Sequence, residues 1–466
     1  MLKGLLFIIL FCTILHNTSK TFINCILRLD IGSMIYECNY CEALKWENEQ
    51  LNCCGNGRYV LPRIPDPPLF VRKLLTGRTG RDTFFRLHPR AINTMFAMAS
   101  MGIKNRKVKF KNNFPLFKIH GMIHHRIGHL KVSSRENAQF AQVYMFDPHD
   151  QLTIRTDGIV IHQKNVSAER KKVIQEYARS ISEEYFEFLS KNNIFVQQFS
   201  NIRKIIESHN LSPKDLPNLC LRLEHALPNN VDARVYSQPS RKEVAIVILD
   251  SDNSSKPNRD IILRYEETSK LIIINETHRM YDPLHYVLML PFGTNGWGYG
   301  LRSMSNMKVS MHVFYRYHLM VRRRSFNGMH RFGVLFQQYC VDNWAKIQQN
   351  NLNFLYFNQS TLHASKYRNV QNRFLKGKSL DHAGYKLLPS SSYGTPRWLD
   401  QHCADSLSIV RHFGYVDYFI TMTANRNWPE VRNALFLNNS SIDRADIVTR
   451  IFNLKVQVCD SDSLLH

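Results

Sequence analysis

Four cysteines crowd together near the start of the chain: Cys38-x-x-Cys41, then the adjacent pair Cys53-Cys54. Two thiols two residues apart can grip one Zn²⁺ from a tight turn, and a second pair closes the tetrahedron. Cys38, Cys41, Cys53 and Cys54 are therefore the candidate ligands of a structural zinc, and Gly55 and Gly57 supply the loose backbone such a knuckle needs. Adjacent side chains diverge on extended backbone, so one member of the pair with a later histidine such as His88 is an alternative set, and reduced core thiols are another. His120, His124, His125 and His129 recur at spacings that would clamp a metal on a helix. However, residues 119–127 look like strand and turn, and no carboxylate lies between these histidines, which read as scattered polar residues. Gly377-Lys378-Ser379 has the end of a phosphate-binding loop, but Asn372 stands where the leading glycine is required, so no ATPase site is read.

The charge points to a partner. Lys and Arg number 61 against 38 Asp and Glu, a formal net charge of +23 over 466 residues. Summed positive charge of this size attracts polyanions, nucleic acid or an anionic membrane surface. Lys104, Arg106, Lys107, Lys109 and Lys111 alternate with Val108 and Phe110, which suits a strand with one cationic face. Lys107, Lys109 and Lys111 are then phosphate contacts, or else the lysine guards of a solvated edge strand. Ten cysteines in a chain this long are not a disulfide scaffold. The apolar run Leu5 to Leu15 is too short for a membrane span, which takes about 20 residues. Residues 1–20 are read as a signal look-alike, an artefact of the choice of start codon, and no stable membrane insertion is expected.

The elements that must position these residues follow from periodicity. Residues 36–62 form a Cys-rich module, with a proline spacer running to residue 68. Residues 69–300 are a mixed α/β middle region. There, Ser167 caps a helix carrying Ile174, Tyr177, Ile181, Tyr185 and Leu189, and Phe195, Phe199, Ile202 and Ile206 mark a second amphipathic stretch. Val244 to Leu249 and Leu271 to Ile274 read as strands. Residues 309–466 form a further domain. It has a helix from about Phe332 to Leu352 and a second one opened by Thr395-Pro396, carrying Leu399, Cys403, Leu407 and Val410, and closed by Gly414. A strand over Tyr418 to Thr423 comes next. The fold class is α+β in several domains.

Asp417-Tyr-Phe-Ile-Thr-Met-Thr-Ala-Asn-Arg-Asn-Trp-Pro-Glu430 resembles the first Rep-type motif of Helitron rolling-circle transposases, roughly D-L-F-I-T-F-T-C-N-P-K-W-P-E. Phe336-Gln337-Gln338-Tyr339 with Val341-Asp342 and Ala345-Lys346-Ile347 is similar to the family's L-F-Q-Q-Y-x-V-D-x-x-x-K-I helix. Leu388-Pro389-Ser390-Ser391 with Gly394-Thr395-Pro396-Arg397 is similar to its L-P-S-S-x-x-G-S-P-R segment. Tyr281-Asp282-Pro283-Leu284, Pro291-Phe292-Gly293 and Gly296-Trp297 match another block, and the cysteines fall where the family has its Cys-bearing N-terminal region.

The resemblance implies a Rep nuclease joined to a helicase, nuclear, acting on DNA, and the aromatic residues interleaved with Lys and Arg point to single-stranded DNA in particular. It implies contacts to nucleic acid from Thr421, Thr423, Asn425, Arg426 and Trp428. In the full-length family enzyme a His-hydrophobic-His pair holds Mg²⁺ or Mn²⁺, and a tyrosine attacks the phosphodiester. No two histidines here are two residues apart, and Arg426 and Ala424 replace the usual proline and cysteine. The expectation is a Helitron-type Rep-helicase fragment, stopping before the nuclease pair and the helicase, with no catalytic residues of its own and a Rep-like domain that is incomplete. The alternatives are an inert zinc-containing DNA-binding or interaction protein and a transposon remnant.

Overall fold

A computed structural model describes residues 9–13, 30–50, 52–102, 124–127, 143–144, 146–161, 166–200, 219–223, 244–248, 261–263, 272–274, 278–358, 388–392, 395–414 and 418–463. The architecture is α+β, mostly helical, with small antiparallel sheets. The chain divides into two compact units.

The larger unit spans residues 33–346 and 432–445. It opens on a short hairpin, β2 (Tyr36–Glu37) paired with β3 (Leu44–Lys45). Three short helices follow: α1 (Leu69–Thr76), α2 (Gly80–Leu87) and α3 (Pro89–Phe96). Pro68 is extended at the N-cap position, and α1 starts directly after it and buries Val71, Leu74 and Leu75. Helix α2 begins with a capping box. The Asp82 amide donates to Thr79 Oγ1 (3.2 Å), and Asp82 Oδ2 accepts from the Thr79 amide (3.0 Å). Strands β4 (Ser100–Gly102), β5 (His124–Ile127) and β9 (Ile272–Ile274) form one sheet, and β7 (Val244–Ile248), β6 (Leu219–Leu223) and β8 (Ile261–Leu263) form another. Helix α4 is Pro148–Ile161 and α5 is Ala168–Asn192. Ser167 caps α5 by accepting from the Arg170 amide, and Ile174, Ile181, Tyr185 and Leu189 are buried as their spacing predicts. Tyr185 joins these layers, its ring packing on Phe70, Phe85 and Phe96. Phe195 and Phe199 of the second amphipathic stretch are buried, whereas Ile202 and Ile206 lie outside the described residues.

Helices α6 (Tyr281–His285), α7 (Met311–His318) and α8 (Val334–Phe357) complete the positioning frame. Helix α8 starts after the predicted Phe332 because Gly333 adopts a left-handed φ of 53°, which interrupts helical backbone between the two residues.

The second unit comprises residues 1–32, 347–431 and 446–466. It contains α9 (Pro396–Phe413), β10 (Tyr418–Met422) and most of α10 (Pro429–Asn433) and of α11 (Ala445–Ser463). Thr395 accepts from the Trp398 amide at the start of α9, and Gly414 ends it. The apolar stripe of α9 is not buried: Leu399 and Leu407 are exposed among the described residues. Strand β10 pairs antiparallel with β1 (Ile9–Thr13), which comes from the signal-like segment, in the register Phe11 to Ile420. No helix among the described residues is long and apolar enough to cross a membrane.

Candidate functional site

The four cysteines come together. Cys38 and Cys41 sit in the β2–β3 turn, where the Glu42 amide donates to the Cys38 carbonyl (2.8 Å) and the Cys38 amide to the Ala43 carbonyl (3.0 Å). Cys53 and Cys54 begin a second turn. Here Gly55, Asn56 and Gly57 are all left-handed, the Tyr59 amide donates to the Cys54 carbonyl, and the Gly57 amide points at Cys54 Sγ (3.4 Å). The divergence expected of adjacent cysteines does not arise, because the backbone curls here rather than extending. A Cβ on Gly55 would meet the Tyr59 ring at 2.7 Å, so that curl needs glycine. The sulfur separations are 3.7 Å for Cys38–Cys54, 3.5 Å for Cys41–Cys53 and 4.0 Å for Cys53–Cys54, and all four sulfurs lie within 4.8 Å of one another. Zn–S bonds of about 2.3 Å in a tetrahedron place sulfurs about 3.8 Å apart. His88 is not in this group; it caps α2 and packs on Phe84.

The surroundings suit thiolates. Buried Arg322 donates from Nε to the Cys41 carbonyl (3.0 Å), and its other nitrogens reach the carbonyls of Met320 and Tyr317. Half-buried Arg316 faces Cys53 and Cys54. A divalent cation with four thiolates carries a net double negative charge, which these two arginines offset. A proton shared with Cys53 and the neighbouring Arg322 hold the Cys41 thiol down at about 5, while burial pushes Cys54 up to about 11. The group can hold a metal in a closed, structural manner.

The Rep-like motif spans β10, an exposed loop and α10. Thr421 is on the strand, Thr423, Asn425 and Arg426 are exposed in the loop, and Trp428 is half-buried. The Asn427 amide donates to Asn425 Oδ1 (2.9 Å), which shapes the loop. The motif's end is an anchor: buried Glu430 accepts from Lys455 Nζ at 2.5 Å, and Lys455 lies 5.1 Å from the Trp428 ring centre. Loop side chains are thus presented to solvent from a fixed base. Lys107, Lys109, Lys111, His120, His129 and Gly377–Ser379 lie outside the described residues; His124 and His125 are on β5.

A third cluster is wholly buried. Lys346 on α8 meets Asp282 on α6 at 2.5 Å, Tyr315 on α7 donates to the same carboxylate (2.7 Å), and the Tyr286 hydroxyl donates to Asp342. Lys346 also lies over the Tyr281 ring at 4.3 Å.

Residues 314–464 match the Helitron helicase-like domain at N-terminus. No curated protein matches the chain. The Helitron match takes in α8, α9 and the Rep-like motif, as the resemblance implies. Asp342 and Lys346 of the buried cluster lie within the matched residues, and Asp282 lies before them. Site reasoning from sequence missed Arg316, Arg322, Lys455 and this cluster. One signal was present: Asp342 and Lys346 stand four apart on a helix that buries Tyr339, Asn343 and Ile347.

Proposed function

We propose that the chain is a DNA-binding protein of the Helitron rolling-circle type whose N-terminal knuckle holds one structural zinc through Cys38, Cys41, Cys53 and Cys54. The Helitron helicase-like match at residues 314–464 carries this reading, and the net charge of +23 and the exposed Thr423-Asn425-Arg426 loop support it. The zinc would be structural, tying the two turns to each other at the four sulfurs. We assign residues 36–62 to the zinc module and residues 309–466 to the Rep-like domain. The partner is single-stranded DNA, and the compartment the nucleus. Thr421, Thr423, Asn425, Arg426, Trp428, Lys107, Lys109 and Lys111 are the proposed contacts.

This sequence by itself does not nick DNA or hydrolyse ATP. The catalytic Mg²⁺ or Mn²⁺ of the family needs two histidines two residues apart on one strand, and this sequence has no such pair. The changes at Ala424 and Arg426 favour a second reading, an inert DNA-binding or interaction protein left from a transposon. The test is incubation of purified protein with labelled single-stranded DNA and Mg²⁺ or Mn²⁺, followed by a denaturing gel. The expected result is intact, unattached DNA. A covalent adduct lost on changing one tyrosine would overturn it.

A further inference from the structure

Three arginines and two phenylalanines alternate in one stack within the larger unit. Arg72 on α1 lies 5.3 Å from the Phe326 ring centre, and Arg331 lies 4.7 Å from Phe326 and 4.3 Å from Phe436. Arg444 closes the stack at 4.9 Å from Phe436. Neighbouring guanidinium groups therefore share a ring. A cation between rings is stabilised by their electron-rich faces, but like charges sharing a ring repel each other.

At the outer end Arg72 pairs with Asp66 at 3.5 Å, and at the inner end Arg444 is fully buried. Arg331 in the middle spends only its Nε, on the Phe326 carbonyl (3.0 Å), and has no carboxylate partner among the described residues. Phe326, Arg331 and Phe436 are half-exposed, and Arg72 keeps 38% of its side-chain exposure. Two rings lie close against the Arg331 guanidinium, and its Nη donors have no hydrogen-bond partner among the described residues, which leaves them for an anion approaching edge-on, the geometry guanidinium uses with phosphate. A stack that served only to clamp residues 432–445 would not require a central cation without a counter-charge.

We propose that this ladder is a contact edge for the phosphodiester backbone of single-stranded DNA, with Arg331 as its central contact. The ring faces are occupied by arginines, so the contact is to phosphate and independent of base sequence. The inference rests on the DNA-binding reading above and gives it a second contact surface, separate in sequence from the Rep-like loop.

The experiment is titration of a labelled thymidine oligonucleotide with the full chain over a series of salt concentrations. It compares the unaltered protein with Arg331→Gln, Arg72→Gln and Arg331→Lys, each with a thermal unfolding curve. Arg331→Gln is expected to weaken binding about tenfold at low salt and to flatten the log–log salt slope by about 0.7, one phosphate contact. Arg72→Gln, at the exposed end, should flatten the slope similarly with an unchanged unfolding midpoint, which keeps the test intact if Arg331→Gln does not fold. Arg331→Lys should keep the slope and lose affinity about threefold, because charge is kept and the planar fork is lost. Unchanged slopes in both Gln variants would make the ladder a clamp only and overturn the proposal. Failure of the unaltered protein to bind would instead remove the DNA-binding reading, and the ladder's role with it.

Discussion

Changing Cys38 and Cys41 together to Ser is expected to leave the purified protein without zinc and to lower its unfolding midpoint by roughly 5–10 °C. The unaltered protein is expected to carry about one zinc per chain by elemental analysis. The size of the effect follows from what the knuckle holds. The β2–β3 hairpin has only two residues per strand, far too short to persist by its own ladder. Its turn and the Cys53-Cys54 turn meet at the four sulfurs. Removing two thiolates also leaves Arg322 and Arg316 with their charges uncompensated beside a buried space. Elemental analysis without zinc in the reduced, unaltered protein would end the assignment, and so would a double variant as stable as the unaltered chain.

Lys346→Met is expected to destabilise the larger unit by about 3–5 kcal/mol, read from denaturant midpoints. Asp282 and Lys346 are each only 1% exposed, so removing the ammonium strands a buried carboxylate whose side-chain donor among the described residues is then the Tyr315 hydroxyl. The partner change Asp282→Leu should cost a similar amount. The double variant should recover much of the loss, because paired apolar groups of similar volume replace a pair that was expensive to desolvate. A single-variant cost near that of a surface pair, below about 1 kcal/mol, would show that the pair is not holding α6 to α8.

What could be read from the sequence was local. Thr395-Pro396 and Gly414 mark the ends of α9 because caps act within one turn, and Ser167 does the same for α5. Cys38-x-x-Cys41 and Cys53-Cys54 could be grouped as ligands because thiols at such spacing have few other uses. The Thr79-x-x-Asp82 capping box was equally local and passed unread. What could not be read depends on distant contacts. Arg322 reaches the Cys41 carbonyl across 281 residues, and Lys346 meets Asp282 across 64. No periodicity encodes such meetings; only a charged residue on an apolar helix face, as Lys346 is, hints that a partner exists. The α9 stripe is the converse case: its amphipathic spacing is real, yet Leu399 and Leu407 remain exposed among the described residues. Periodicity fixes which residues share a face and says nothing of what covers it.

The most direct test of DNA binding is the affinity for labelled single-stranded DNA measured from low to physiological salt, beside a duplex of the same sequence. With a net charge of +23 and no base-reading motif, binding should be carried by phosphates, so affinity should fall steeply and linearly on log–log axes. Single strands should bind at least as well as duplex, since exposed aromatic and cationic side chains can engage splayed bases and backbone together. An affinity that does not change with salt, or no binding to either DNA at low salt, would contradict the account.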